Sequence, residues 1–227
     1  MSHILDRPAW NALATVHADF AEGSPLARRY DPSVVLFAAP ADDSPESLAA
    51  LAALPSSDED VLLLVEAAPV ALPRTLEIKM EAVLVQMLAE KAFERIGDPR
   101  IEPLTEADAE EMLALATLTK PGPFTLRAQA LGTFWGIRVD GRIVAMCGQR
   151  MRQPGFSELS GLCVHPDFQG KGLGKLMLRF VAGEISARNE AVYLHAYETN
   201  TGAIALYQSL GFAIRADMNL KVVKRAV

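Results

Sequence analysis

The chain has only two cysteines in 227 residues, Cys147 and Cys163. Two thiols do not make a disulfide framework, so a reduced, cytoplasmic protein is expected. Its four histidines are dispersed, with no H-x-x-x-H spacing and no paired cysteines beside them, and no metal site is expected. No stretch approaches the ~18 uninterrupted apolar residues of a membrane helix, so no membrane partner is expected. The start, MSHILDRPAW, lacks a basic region followed by an apolar run and lacks a small-residue cleavage site; it does not read as a leader peptide. Glycine and proline, 15 and 14 residues, are too few for a fibrous or low-complexity chain. There is no short internal repeat. Excess positive charge is also missing: the net charge is −6, which argues against nucleic acid as a partner.

What is present is globular. Half the residues are hydrophobic and 22% are charged, enough for a proper core in one large domain or two small ones. Residues 1–100 carry 16 acidic and 8 basic side chains, and residues 101–227 carry 12 and 14. That change of sign suggests two parts with different tasks, with the second part the better home for an anionic ligand. The turn cluster Gly97-Asp98-Pro99-Arg100 marks the expected boundary, giving parts 1–96 and 97–227. The first part reads as a helix over 9–22, a strand at 33–39, a helix at 45–54, strands at 61–66 and 75–86, and a helix to about 95. The second reads as a strand at 100–104 and a helix at 106–118 capped by Thr105. A Pro/Gly loop at 120–124 follows, with a short helix after it. Strands at 133–139 and 142–151 flank Asp140-Gly141, the strongest hairpin signal in the chain. Then come a strand at 156–164, a helix at 172–188, a strand at 191–197, a helix at 202–210 and two short strands within 212–223.

The most informative stretch is ELSGLCVHPDFQGKGLGK, residues 158–175. It is a strand, a His-Pro break, a loop with three glycines in five residues, and an amphipathic helix. Gly170, Gly172 and Gly174 remove side chains where the backbone turns into the helix. A helix N-terminus has unpaired amides and a positive dipole end, which suits a phosphate. Lys171, Lys175 and Arg179 recur on one face. The Walker spacing fails, and so does the dinucleotide fingerprint, because Lys175 stands where its last glycine belongs. The pattern that fits is Q-x-x-G-x-G: Gln169, Gly172, Gly174. About 25 residues on comes Asn200-Thr-Gly-Ala-Ile-Ala-Leu-Tyr207, ending in Gly211-Phe212.

Together these two motifs, over residues 100–223, resemble the GNAT superfamily of acyl-CoA-dependent N-acyltransferases. The resemblance implies an α/β fold, a mixed twisted sheet with helices on both faces. It implies acetyl-CoA as donor, CoA as product and direct attack by an amine. It places Gln169, Gly170, Lys171, Gly172, Leu173, Gly174 and Lys175 around the CoA pyrophosphate. The strand residues Leu162, Cys163 and Val164 would offer backbone groups to the pantetheine arm, with Asn200 and Tyr207 beside it. Tyr207 would be the general acid for the leaving thiolate. Glu158, or water, would take the proton of the amine. Strand alternation puts Glu158 on the same face as Ser160, Leu162 and Val164. Cys163 is expected to be a small apolar filler. His195 is expected to be a core histidine, with a proton relay as the alternative. Phe124, Trp135, Phe156 and Arg152 are candidates either for the acceptor pocket or for the core.

The acceptor is expected to be a primary amine of a small molecule or peptide, and the protein a monomer or homodimer. The acidic first part would suit a cationic acceptor such as a polyamine, an aminoglycoside or a basic peptide end. The order of elements in residues 1–96 resembles the start of the same fold, a smaller α/β unit that lacks the Q-x-x-G-x-G loop. That layout is similar to the subgroup related to glycine N-acyltransferase. The alternative to an enzyme is a catalytically silent acyl-CoA-binding sensor or regulatory module.

Overall fold

The computed structural model describes residues 3–57 and 59–226. Met1, Ser2, Asp58 and Val227, which touch the expected leader-free start and the outer ends of the two expected parts, lie outside the described residues. In chain order the elements are α1 (Pro8–Leu13), β1 (Ala21–Gly23), β2 (Ala27–Tyr30), β3 (Ala38–Pro40), α2 (Pro45–Ala53), β4 (Val61–Glu66), β5 (Leu76–Ala89) and β6 (Ile101–Leu104). They continue with α3 (Ala109–Thr119), β7 (Phe134–Val139), β8 (Arg142–Gln153), β9 (Phe156–Val164), α4 (Leu173–Ser186), β10 (Ala191–Tyr197), α5 (Thr201–Ser209) and β11 (Phe212–Arg225). Eight strands form one sheet in the order β4-β11-β5-β10-β9-β8-β7-β6. Every neighbouring pair is antiparallel except β9 and β10, which are parallel. Strands β1, β2 and β3 make a small antiparallel sheet of their own. No helix among the described residues is long and apolar enough to cross a membrane.

Both faces of the large sheet are covered, as its two-sided apolar patterning requires. On one face α4 buries Leu173, Met177, Leu178, Val181 and Ile185 against Met87, Val144, Leu159 and Leu194. Ile204 and Tyr207 of α5 pack at the margin of the same cluster. On the other face α1 and the chain to β3 set Ala9, Leu13, Tyr30, Val35 and Phe37 against Leu63, Leu84, Met151 and Leu220. Beside them α3 packs Met112 and Leu115 on Phe134 and Met146. The expected boundary at 96/97 lies between β5 and β6, and the sheet runs across it: β5 pairs with β10 on one edge and β11 on the other.

Several elements differ from the sequence reading, each for a tertiary reason. The first helix stops at Leu13, and the chain turns back so that His17 meets Tyr30, Nδ1 to hydroxyl 3.0 Å. Residues 32–34 are a turn and 35–36 irregular chain rather than a strand, with the amides of Val34 and Val35 donating to the Asp31 carbonyl. No helix forms at 90–95. This stretch crosses α4 as extended chain: Phe93 N–H donates to Ser186 Oγ at 3.0 Å. A Cβ on Gly183 would stand 2.7 Å from the Glu94 carbonyl, so helical propensity yields to a close backbone crossing. The two short final strands are one 14-residue strand, β11, with two register shifts against β5. The Asp140-Gly141 hairpin forms as expected, both residues at positive φ (50° and 79°).

Candidate active site

The glycine-rich loop leads into α4 without a side-chain cap. Gly172 is the N-cap residue at φ 78°, Gly170 sits at φ 73°, and the first turn holds no acid. The first amides of α4 therefore face outward unpaired, as an anion requires. Lys175 and Arg179 are exposed on the flank. Lys171 turns away: its Nζ donates to the Asp167 carbonyl at 3.2 Å and lies 4.4 Å from the Phe168 ring centroid.

Upstream of that loop, β9 and β10 pair for only three residues, Phe156↔Ala191 to Glu158↔Tyr193, and then part. Beyond the split β9 holds to β8 and β10 holds to β5, which opens a wedge in the sheet. A bulge helps to form it. Gly161 stands at φ 64°, and the β8–β9 register shifts between Gly148↔Ser160 and Met146↔Cys163. A Cβ at Gly161 would meet Phe134 at 2.7 Å. The bulge also breaks the expected alternation. Leu159, Leu162 and Val164 all pack toward α4, whereas Cys163 faces α3. Glu158 points away from Leu159, so it does not share a face with Leu162 and Val164.

Two clefts open from the wedge. The outer one, about 490 Å³, is lined by Leu162, Cys163, Val164, Gln169, Gly170, Gly172, Leu173, Gly174, Lys175, Asn200 and Tyr207. Those are all the expected cofactor residues except Lys171. Cys163 is buried, and burial pushes its thiol up to about 11, so it packs as an apolar group and does not ionise near neutrality. The inner pocket, about 160 Å³, is lined by Phe37, Leu63, Leu84, Lys120, Arg150, His195 and Leu220 among others. The two share Lys120, Pro121, Leu162, Asn200, Ala203 and Tyr207. Tyr207 thus stands at the junction. Burial pushes its phenol up to about 12, so it keeps its proton at neutral pH. Asn200 caps α5, its Oδ1 accepting from Ala203 N–H at 3.2 Å, and this leaves its amide nitrogen for other partners.

Glu158 is fully buried (0% exposed) and fully engaged. Arg150 grips it with two hydrogen bonds, Nε to Oε2 at 2.9 Å and Nη2 to Oε1 at 2.6 Å. His195 Nδ1 lies 2.8 Å from Oε1, and Met151 N–H is 3.3 Å from Oε2. Burial alone would raise its pKa. The Arg150 and His195 partners outweigh that and hold it at about 2. A carboxylate so held is a poor proton acceptor at neutral pH. His195 is engaged on both sides too. Gln86 gives its Oε1 to Arg215, so its Nε2 donates, to the Leu5 carbonyl at 3.0 Å and to His195 Nε2 at 2.9 Å. The imidazole then carries its proton on Nδ1, toward Glu158.

The aromatic candidates are structural. Phe124 packs edge-on against Phe134 (5.5 Å), Trp135 against Phe180 (5.8 Å) and Phe156 against His3 (5.4 Å). Arg152 pairs with Glu190. Sequence reasoning missed Arg150 and the apolar wall from the first part, Phe37, Leu63 and Leu84. Counting outward from the Pro154-Gly155 turn would set Met151 opposite Glu158; the register shift between Gln149 and Arg152 brings Arg150 to Glu158 instead, so no local signal in the sequence marks it. Nothing local marks Phe37 or Leu63. Among the described residues no group of three or more His, Cys, Asp or Glu side chains converges to hold a metal.

Comparison with known proteins accords with this geometry. The model of the acetyltransferase (GNAT) family matches residues 101–212. A solved structure from Novosphingobium aromaticivorans, assigned to the GNAT acetyltransferases, is 40% identical over the full length of both chains, with a TM-score of 0.94. A GCN5-related N-acetyltransferase from Kribbella flavida shares the fold at a TM-score of 0.60 and 18% identity, covering 97% of this chain and 96% of that one. Among curated relatives, the [ribosomal protein bS18]-alanine N-acetyltransferase of Salmonella typhimurium is 42% identical over 55 residues, 24% of this chain and 37% of that protein. The N-alpha-acetyltransferase RimI of Mycobacterium tuberculosis is 39% identical over 80 residues, 34% and 49% of the two. The chain therefore spans less than half the length of these curated relatives. With the full-length likeness to the Novosphingobium structure, the sequence and the fold agree that the chain belongs to the GNAT family of acetyltransferases.

Proposed function

We propose that the protein moves an acetyl group from acetyl-CoA to a primary amine of a small molecule or peptide, by direct attack. The observation that supports this best is the meeting of two clefts at Tyr207, one ending on the uncapped start of α4 and the other in a small, partly open pocket. In this reading Gln169 to Gly174 and Lys175 hold the pyrophosphate through backbone amides and charge. Leu162, Cys163 and Val164 face the pantetheine arm with the backbone groups that the strand split leaves unpaired. Asn200 contributes its amide nitrogen.

The amine lone pair attacks the thioester carbonyl, the C–N bond forms and the C–S bond breaks. The leaving thiolate takes the Tyr207 proton, the amine gives up its own proton to solvent, and solvent returns a proton to the Tyr207 phenolate to close the cycle. Glu158 acts in this scheme as a positioning residue: it holds Arg150 and His195 at the pocket wall. The curated relatives are named for acetylation of a protein's alanine or of an α-amino group, which keeps peptide amines among the acceptors. From the first 96 residues, Phe37, Leu63 and Leu84 form part of the acceptor pocket.

The test is thiol release from acetyl-CoA with a panel of amines, for wild type and Tyr207→Phe. Amine-dependent release that drops in the variant supports transfer. Acetyl-CoA binding with no release for any amine supports the silent sensor, a reading that draws on the engagement of Glu158.

A further inference from the structure

We infer that the acceptor is an amino acid with a free carboxylate and an apolar side chain. This rests on the acetyltransferase reading and names the substrate class of the same site.

The charges of the inner pocket point one way. Its ionisable lining is Lys120, Arg150, His195, Tyr197 and Tyr207, and no acid lines it. The nearest carboxylate, Glu158, is fully buried with both oxygens bonded. Arg150 spends Nε and Nη2 on Glu158, and its Nη1 keeps no hydrogen-bond partner among the described residues. Lys120 stands at the end of α3 in a left-handed conformation, φ 50°, and no described carboxylate pairs with it. Glu158 balances the charge of Arg150, so Lys120 is the uncompensated cation of the pocket; Lys120 and the remaining Arg150 Nη1 donor together attract a carboxylate. The Lys120 charge also disfavours a neighbouring ammonium, which promotes the neutral amine that the attack requires. A polyamine or aminoglycoside would find no anion here. The acids of the first part do not reach the pocket: its contributions are Phe37, Leu63 and Leu84.

The remaining walls are apolar. Leu63 and Leu220 continue outward into a groove of about 450 Å³ that Met80 and Val222 extend. An apolar side chain attached to the same carbon as the amine and carboxylate can lie along this mostly apolar groove, which Lys120 also lines. The pocket itself, about 160 Å³, suits a small ligand.

The experiment compares L-leucine, leucinamide, isoamylamine, spermidine and a peptide with an N-terminal alanine as acceptors, with thiol release as the readout. Heat stabilisation by acetyl-CoA is measured alongside. The expected result is a kcat/KM for L-leucine at least about tenfold above leucinamide and isoamylamine, with the ratio to leucinamide narrowing in Lys120→Met. Equal or better rates with leucinamide, isoamylamine, spermidine or the peptide overturn the inference and leave the acetyltransferase standing. Acetyl-CoA stabilisation without release from any acceptor, and with no calorimetric binding of L-leucine to the CoA-loaded protein, overturns it as well. Absence of acetyl-CoA stabilisation sinks both.

Discussion

The outer cleft is made mostly from one run of chain, Leu162 to Lys175, closed by Asn200 and Tyr207. The inner pocket collects Phe37, Leu63, Lys120, Arg150, His195 and Leu220 from positions up to 183 residues apart. The first depends on backbone: glycines at positive φ, uncapped amides, a strand that leaves its neighbour. The second depends on side chains delivered by the sheet, and on an ion pair that fixes them. A nucleotide-like group can be held by local geometry that a short motif encodes, because backbone amides are the same in every residue. Acceptor choice needs particular side chains in a particular enclosure, and only the complete fold assembles those.

Breaking the acceptor side should cost the most stability. Arg150→Met leaves the Glu158 carboxylate buried without its main partner, and a loss of about 3–5 kcal/mol is expected in denaturant unfolding. Adding Glu158→Leu to that variant should return part of the loss; no recovery would mean that the pair is not the unit that matters. The matching change on the cofactor side is Gly172→Glu. A Cβ there meets nothing within 4 Å, so the fold should survive at a cost of about 1–2 kcal/mol for the left-handed backbone. The carboxylate would face the phosphates, and acetyl-CoA affinity by calorimetry should fall about a hundredfold, or about 2.7 kcal/mol. At the junction, Tyr207→Phe should lower kcat by about a hundredfold with the KM for acetyl-CoA within about threefold of wild type. An unchanged kcat would remove Tyr207 from the chemistry.

A pH series sharpens the comparison further. Burial holds His17 neutral and lowers its pKa from 6.5 to about 4. The unfolded chain takes up a proton that the folded one refuses, so stability is full above pH 6.5 and declines as pH falls toward 4. The Glu158 contribution is full above about 4.5 and is lost toward about 2. Unfolding midpoints measured between pH 7 and 4 should therefore fall in wild type and fall less in His17→Phe.

The elements around the glycine-rich loop were legible for the reason that makes them local. Q-x-x-G-x-G, the strand before it, the helix after it and the Asn200–Tyr207 helix stand within a residue or two of their expected places. Helical spacing could not show that the Lys171 side chain folds back onto its own loop, because it does not say whether a lysine reaches forward or back. Glu158 was set on the face of Leu162 and Val164 because alternation was carried through Gly161, where the bulge cancels it. The first part was legible where strands were long and apolar, as at Val61–Glu66. It was not legible where tertiary contacts override local preference, as at the Phe93 crossing and the turn before Phe37. The narrower likeness to the glycine N-acyltransferase subgroup rests on the two-part layout alone.

The most direct measurement is heat stabilisation of wild type and Gly172→Glu by acetyl-CoA and CoA, beside ATP and NAD. A ligand that binds only the folded state at about 100 times its Kd adds about 2.7 kcal/mol of apparent stability. The account predicts a rise with acetyl-CoA and CoA, no comparable rise with ATP or NAD, and loss of the rise in Gly172→Glu. A folded wild-type protein that shows no shift at millimolar acetyl-CoA would contradict it.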